Sequence, residues 1–178
     1  STARRAFRRT LGLTFLDYAR IRRLQAGMRE LGKGARVIDA QLEAGFDSGS
    51  GFRAAFARLL GVPPEALTRS GDALLKADWI DTDLGPMIAV ADAHSLHLLE
   101  FADRPALPRE LARLHKAAKG RIGLGRTPAT DQLESELQRY LKGEDARFAT
   151  QLTYHGTPFT QSVWDALRDI PAGETLSY

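Results

Sequence analysis

Apolar positions recur along this chain with two periods, and the change from one to the other falls near Gly71. Before it the spacing is that of helices. Residues 2–11 predict a short helix with Phe7 and Leu11 among Arg4, Arg5, Arg8 and Arg9, stopped by Gly12. Thr14-x-x-Asp17 reads as a capping box that opens a long helix to about residue 31. Tyr18, Ile21, Leu24, Met28 and Leu31 keep its three-to-four-residue spacing. Gly32-Lys33-Gly34 breaks it; with no strand before it, this is too weak a pattern for a phosphate loop. Residues 37–44 predict a short helix burying Ile38 and Leu42, followed by a turn at Gly45 with Phe46 as a plug. Ser48 can cap the next helix, which should bury Phe52, Phe56, Leu59 and Leu60 before Gly61-Val62-Pro63-Pro64 ends it. Two short helices joined by a glycine turn form a helix-turn-helix, a pattern that many helical hairpins share.

After Gly71 the runs shorten. Residues 74–81, 87–91 and 96–101 predict strands, and the turns Asp83-Leu84-Gly85-Pro86 and Asp92-Ala93-His94-Ser95 make them an antiparallel meander. Helices are expected over 105–119 and 130–142, the second with Leu133, Leu137, Tyr140 and Leu141 on one face. Further strands are expected over 121–124 and 148–154. Strands interleaved with helices on short connections indicate an α/β layer structure. Finally, Pro158 can start a helix whose Phe159, Val163, Trp164 and Leu167 form one stripe, stopped by Pro171 and Gly173. Nothing upstream is an obvious cover for Trp164 and Leu167.

Composition narrows the classes. The 178 residues leave room for one or two domains, 43% are hydrophobic and 26% charged, and no run of 18 apolar residues is present to span a membrane. No signal peptide is visible at Ser1, and the absence of an initial Met suggests residues upstream. With no cysteine, disulfides and thiolate metal sites are excluded within these residues. Charge is uneven: residues 1–70 hold 13 Lys and Arg against 6 Asp and Glu, whereas residues 71–178 hold 12 against 16, for a net +3. A basic first part points to nucleic acid. Asp78, Asp81 and Asp83 read as solvated carboxylates rather than a metal site, and no metal ligands are assigned. The four histidines, His94, His97, His115 and His155, lack a neighbouring pattern that would make a catalytic constellation.

Two longer strings are more specific. A-G-F-D-S-x-S-x-F-x-x-x-F-x-x-x-x-G-V-P-P, from Ala44, resembles the second helix-turn-helix of AraC/XylS-type transcription regulators. A-F-R-R-T-L-G-L-T-x-x-x-Y, from Ala6, resembles the recognition and linker helices of the first, whose opening helix is absent. The resemblance runs from residue 1 to about 69. It implies that Arg4 and Arg5 in the first motif, and Ser50 and Arg53 in the second, face the major groove, where arginine can bridge guanine O6 and N7. It also implies that Arg8, Arg9 and Arg58 clamp phosphate. Ala54 stands where the family usually carries a longer side chain, and Gly49 and Gly51 leave a bare leading edge, so weak readout by the second motif is expected.

The second string is G-T-x-F-x-x-x-V-W-x-A-L-x-x-I-P-x-G-E-T-x-S-Y, residues 156–178. It resembles the entry to the DNA-binding half of the O6-alkylguanine-DNA alkyltransferases, and the preceding meander more loosely resembles their N-terminal domain. On this resemblance Tyr178 matches the tyrosine that presses on the phosphate 3′ to the flipped base. The acceptor cysteine and its partners are expected beyond Tyr178, so these residues alone should transfer no methyl group.

Together the strings resemble the Ada-type bifunctional proteins, with truncation expected at both ends. The implied fold is multi-domain: an all-α AraC-type double helix-turn-helix over 1–70, its first motif incomplete; an α/β, ribonuclease H-like alkyltransferase N-terminal domain over 71–156; and the start of the helical catalytic DNA-binding domain over 157–178. The implied function is stoichiometric repair of O6-methylguanine by transfer to a protein cysteine, coupled to transcription activation of the alkylation response. The implied partners are promoter and alkylated double-stranded DNA and RNA polymerase, with no membrane, in the bacterial cytoplasm. No cofactor is implied, zinc entering only if a sensor domain precedes Ser1. Two rival readings stay open: a non-enzymatic AraC-type regulator, and an alkyltransferase whose helical segment merely tethers it to DNA.

Overall fold

The computed structural model describes Arg5, Arg9 and residues 14–69, 71–171 and 173–175. The helix expected over 2–11 falls largely outside these, although Arg5 and Arg9 are themselves helical. Helix α1, Phe15–Gly32, starts as its capping box predicts: Thr14 Oγ1 accepts from the Asp17 backbone N–H at 3.2 Å. It buries Ile21, Leu24 and Met28. Helices α2, Val37–Glu43, and α3, Gly49–Leu60, follow, and a short 3-10 turn spans Pro64–Ala66.

The α2 helix corrects one expectation. Ile38 and Leu42 are 49% and 65% exposed, and Ala40, Gln41 and Ala44 face inward instead. Ala40 and Ala44 are also four apart, and their small side chains let α2 lie close against α1. Size at the contact outweighed hydrophobicity in choosing the buried face.

The remainder is built on a five-stranded sheet of β1 (Leu75–Ile80), β2 (Met87–Ala91), β3 (Ser95–Phe101), β4 (Ile122–Leu124) and β5 (Gln151–Leu152). Its order is β4-β1-β2-β3-β5. The central three strands form the expected antiparallel meander, while β4 runs parallel to β1 and β5 parallel to β3. Helix α4, Leu107–Ala117, links β3 to β4; α5, Pro128–Leu141, links β4 to β5; and α6, Pro158–Arg168, comes last.

Alternation along the strands sends side chains to two separate cores. Leu75, Ala77, Trp79, Ile88 and Val90 join Leu107 and Leu111 of α4, and the same cluster continues into Leu24, Phe52 and Phe56 of the helical region. On the opposite face Ile80, Met87, Ala89 and Ala91 pack with Leu133 and Leu137 of α5. The helix-turn-helix region and one sheet face thus share a continuous apolar core. Gly61 makes that approach possible, because at φ +74° a Cβ here would lie 2.1 Å from the Pro108 carbonyl oxygen.

A polar clamp reinforces the junction. Asp81, at the end of β1, accepts from Arg22 at 2.6 Å, Gln25 at 2.9 Å and the Trp79 indole at 3.3 Å, with Arg29 at 3.6 Å. Asp78 accepts from Arg126 at 3.0 Å, and burial pushes its carboxyl up. These two aspartates are therefore structural partners rather than solvated charges.

The strand expected over 148–154 shrinks to two residues for a visible reason. Buried Glu136 on α5 accepts from the Ala149 and Thr150 backbone N–H groups, each at 3.2 Å, and from Thr150 Oγ1 at 2.8 Å. Those amides cannot also join a ladder. Phe148 packs against Tyr140 with the rings tilted, centroids 5.4 Å apart. Among the described residues no helix is long and apolar enough to cross a membrane.

Candidate nucleic-acid interface

The helix-turn-helix is assembled from local rules and then fastened by α1. Gly45 supplies the turn at φ +66°. Gln41 and Phe46 close it from both sides: the Phe46 N–H donates to the Gln41 carbonyl at 3.1 Å, and Gln41 Nε2 donates to the Phe46 carbonyl at 3.0 Å. Arg23 on α1 donates through Nε to the Ala44 carbonyl at 2.9 Å, and its guanidinium lies 4.3 Å from the centre of the Phe46 ring. Phe46 in turn meets Phe52 edge-on at 5.5 Å. Phe46 is the plug its position suggested.

Ser48 caps α3 by accepting from the Gly51 N–H at 3.1 Å. Phe52, Phe56, Leu59 and Leu60 are buried as the spacing predicts. That burial leaves Ser50, Arg53 and Ala54 exposed on the outward face. Arg58 is also exposed but sits about 140° around the helix from Arg53. It borders a cleft of about 450 Å³ with Asp17, Arg20, Asp103 and Arg104, between α1, α3 and the turn into α4. Arg5 and Arg9 are exposed, one helical turn apart. Arg4, Arg8 and Tyr178 lie outside the described residues. The sequence did not single out Glu65, which forms an ion pair with Arg53 Nε.

The second arrangement of note is one the sequence hid. His97 and His155, far apart in the chain, are hydrogen-bonded Nδ1 to Nε2 at 2.7 Å. His97 Nε2 lies 2.9 Å from Asp92 Oδ2, whose other oxygen accepts from the His94 and Ser95 N–H groups at 2.7 Å each. Partial burial opposes ionisation of Asp92, but the hydrogen bonds from His97, His94 and Ser95 outweigh it and hold the carboxyl at about 2. An ionised Asp92 only accepts, so Nε2 of His97 donates to it, while Nδ1 of His97 shares one proton with Nε2 of His155. Ser95 Oγ lies 3.2 Å from Asp92 Oδ2 and 2.7 Å from Thr153 Oγ1, so it is held within the same polar cluster rather than aimed by His97 as a nucleophile. Histidines read as scattered are in part gathered, but as a brace tying the segment after β5 to β3. The readable trace would have been Asp92-x-x-Ser95-x-His97.

Beside this brace lies a groove of about 700 Å³ between β3, α4 and α6, lined by Leu98, Leu114, Tyr154, Trp164 and Leu167. No α6 residue is buried. Among the described residues no group of three or more His, Cys, Asp or Glu side chains is placed to hold a metal ion.

Comparison with known proteins finds relatives for both parts of the chain. Residues 1–70 match the helix-turn-helix domain family. The chain is 28% identical over 179 residues to the bifunctional transcriptional activator/DNA repair enzyme Ada of Escherichia coli K12, covering 98% of this chain and 49% of that protein. It is 35% identical over 100 residues to the methylated-DNA–protein-cysteine methyltransferase of Mycobacterium leprae, 56% of this chain and 54% of the other. A solved structure, that of the Mycobacterium tuberculosis O6-methylguanine methyltransferase, aligns at 29% identity and a TM-score of 0.46 over 57% of this chain and 55% of its own. The chain spans about half the length of these relatives. Its succession of a helix-turn-helix region and a region similar to methylated-DNA–protein-cysteine methyltransferases resembles that of Ada.

Proposed function

We propose that this chain is part of a DNA-repair regulator that moves the methyl group of O6-methylguanine onto a cysteine thiol and binds promoter DNA through its helix-turn-helix. The observation that carries this reading is the continuous similarity to Ada across 98% of the chain, through both the helical and the α/β region. In such a transfer a thiolate sulfur attacks the methyl carbon as the bond to O6 breaks. The guanine keeps the electron pair and takes a proton, and the thioether persists on the protein. No cofactor takes part. The damaged base must leave the stack to be reached.

These 178 residues contain no cysteine, so they cannot themselves accept the group. The acceptor belongs to a segment outside them, and residues 157–178 form the entry to that segment. The ribonuclease H-like description of residues 71–156, the division at 70 and 156, cytoplasmic location and contact with RNA polymerase belong to the same proposal. So do the DNA contacts of Arg4, Arg5, Arg8, Arg9, Ser50, Arg53, Arg58 and Tyr178. The basic charge of residues 1–70 and the exposure of the described arginines among those eight support DNA contact.

The test has two arms. Duplex carrying labelled O6-methylguanine is incubated with this chain and with the full-length protein. Label should stay on DNA with the first and move to a single cysteine of the second. Absence of transfer by the full-length protein would leave only the regulator reading. Binding of this chain to duplex should weaken steeply with salt.

A further inference from the structure

The outward face of α3 is nearly bare: Ser50, Gly51, Arg53 and Ala54 are its exposed residues between Gly49 and the small side chain of Ala57. Arg53 is therefore the one long donor on that face, and the structure restrains it from two sides. Its Nε is paired with Glu65 Oε1 on the 3-10 turn after the helix. Its Nη1 lies back toward the helix start over Gly49, where a Cβ would come within 2.8 Å of that nitrogen. A residue larger than glycine at 49 would displace the guanidinium, and loss of Glu65 would free it to sweep.

The pair does little for folding. Both side chains are about half exposed, 51% and 46%, and exposed ion pairs contribute little to stability. What the pair does fix is position. An arginine held at Nε still has two Nη groups pointing away together, a two-donor fork suited to guanine O6 and N7. The end of α3 over which that fork lies is the end a recognition helix offers to base edges. A carboxylate beside the guanidinium also offsets its charge, so Arg53 is drawn less to phosphates at large.

We propose that Glu65 is a specificity-determining positioning residue, which with the space left by Gly49 holds Arg53 to read one guanine in the major groove. This rests on the DNA-binding reading above. It also answers the expectation of weak readout from a bare helix: a single pre-placed arginine reads one base pair well instead of several poorly. Pre-ordering removes the rotamer cost that a long, free side chain meets on binding.

The experiment uses this chain and two duplexes: one recovered by selection from a random-sequence pool, and a scrambled one of equal length. Wild-type preference for the selected duplex should fall about tenfold when the guanine facing Arg53 is replaced by 7-deazaguanine. Glu65→Gln should lose about as much of that preference and become insensitive to the deaza substitution, with its melting temperature unchanged. Arg53→Lys, which keeps the charge but not the fork, should match it, and Gly49→Ala should fall between. If Glu65→Gln instead tightens binding to both duplexes equally, Glu65 masks Arg53 rather than aiming it. If Glu65→Gln keeps the wild-type preference, the pair is only a surface ion pair. Either result overturns the proposal. Failure of the wild-type chain to bind any duplex would sink the DNA-binding reading itself, and this inference with it.

Discussion

Helices α3 and α6 are close in length, both start at a side-chain cap, and both carry an apolar stripe at helical spacing. One buries four residues and the other none. Phe52 and Phe56 of α3 are fully enclosed, whereas Phe159 and Leu167 of α6 are 79% and 56% exposed. Helix α6 is held by its own lead-in: Trp164 packs at a tilt against Tyr154 at 5.3 Å, Arg168 donates to the Tyr154 hydroxyl at 3.1 Å, and Gln161 reaches back to the Gly156 carbonyl at 2.9 Å. An amphipathic pattern states that a face wants cover; it does not supply one. In α3 the cover comes from α1, α2 and α4. Among the described residues α6 has only one side of a groove.

The largest test of this contrast is a pair of phenylalanine truncations. Phe56→Ala should cost about 3–5 kcal/mol in urea unfolding, while Phe159→Ala should stay within about 0.5 kcal/mol. Equal costs would show that α6 is packed after all. Next, Gly61→Ala should cost about 2–4 kcal/mol, since it meets both the left-handed conformation and the Pro108 carbonyl. A mild result would mean that α3 and α4 separate easily. Asp81→Ala should cost about 1–2 kcal/mol, seen in the same unfolding curves, by releasing Arg22 and Gln25 and loosening α1 on the sheet.

The smallest effect belongs to the brace before α6. Asp92 is lowered from its ordinary 3.8 to about 2, so it stabilises the fold above pH 3.8, and that contribution is lost as pH falls toward 2. Its partial exposure reduces the effect to about 1 kcal/mol. Asp92→Asn should therefore lower stability at pH 7 and match the wild type at pH 2 in thermal melts. His155 acts earlier in an acid titration. Burial and the nearby His97 lower it from 6.5, so its stabilising share, present above pH 6.5, declines below that point. Hydrogen-exchange protection factors in residues 151–168, which correct for the slower intrinsic exchange at lower pH, should fall on acidification before those of α3 do.

Some boundaries of elements were legible because their causes are short-range. Thr14 and Ser48 each cap the helix that follows, as their positions indicated, and Gly45 and Gly61 turn the chain where the pattern required it; the caps at Thr127 and Thr157 went unread, and the helix after Thr127 begins two residues earlier than expected. The exposed face of α3 was legible too, since four apolar residues left it no other side to expose. By contrast, Glu65 as the partner of Arg53 could not be read from a pattern, because a turn after the helix had to bring it back alongside.

The sequence by itself determined the succession of helices and strands, the antiparallel meander and which half is basic. Capping, turn conformation and periodicity act within a few residues, so the chain carries them wherever it goes. Tertiary structure alone decided that Ala40 and Ala44 are buried in preference to Ile38 and Leu42, and that Asp81 clamps α1. It alone decided that Glu136 shortens β5 and that His97 finds His155. Each of these depends on a partner arriving from elsewhere in the chain, 56 residues away for Gln25 and Asp81. The winner at such a contact is set by close packing and by the cost of an unmatched polar group, neither of which is written in local spacing.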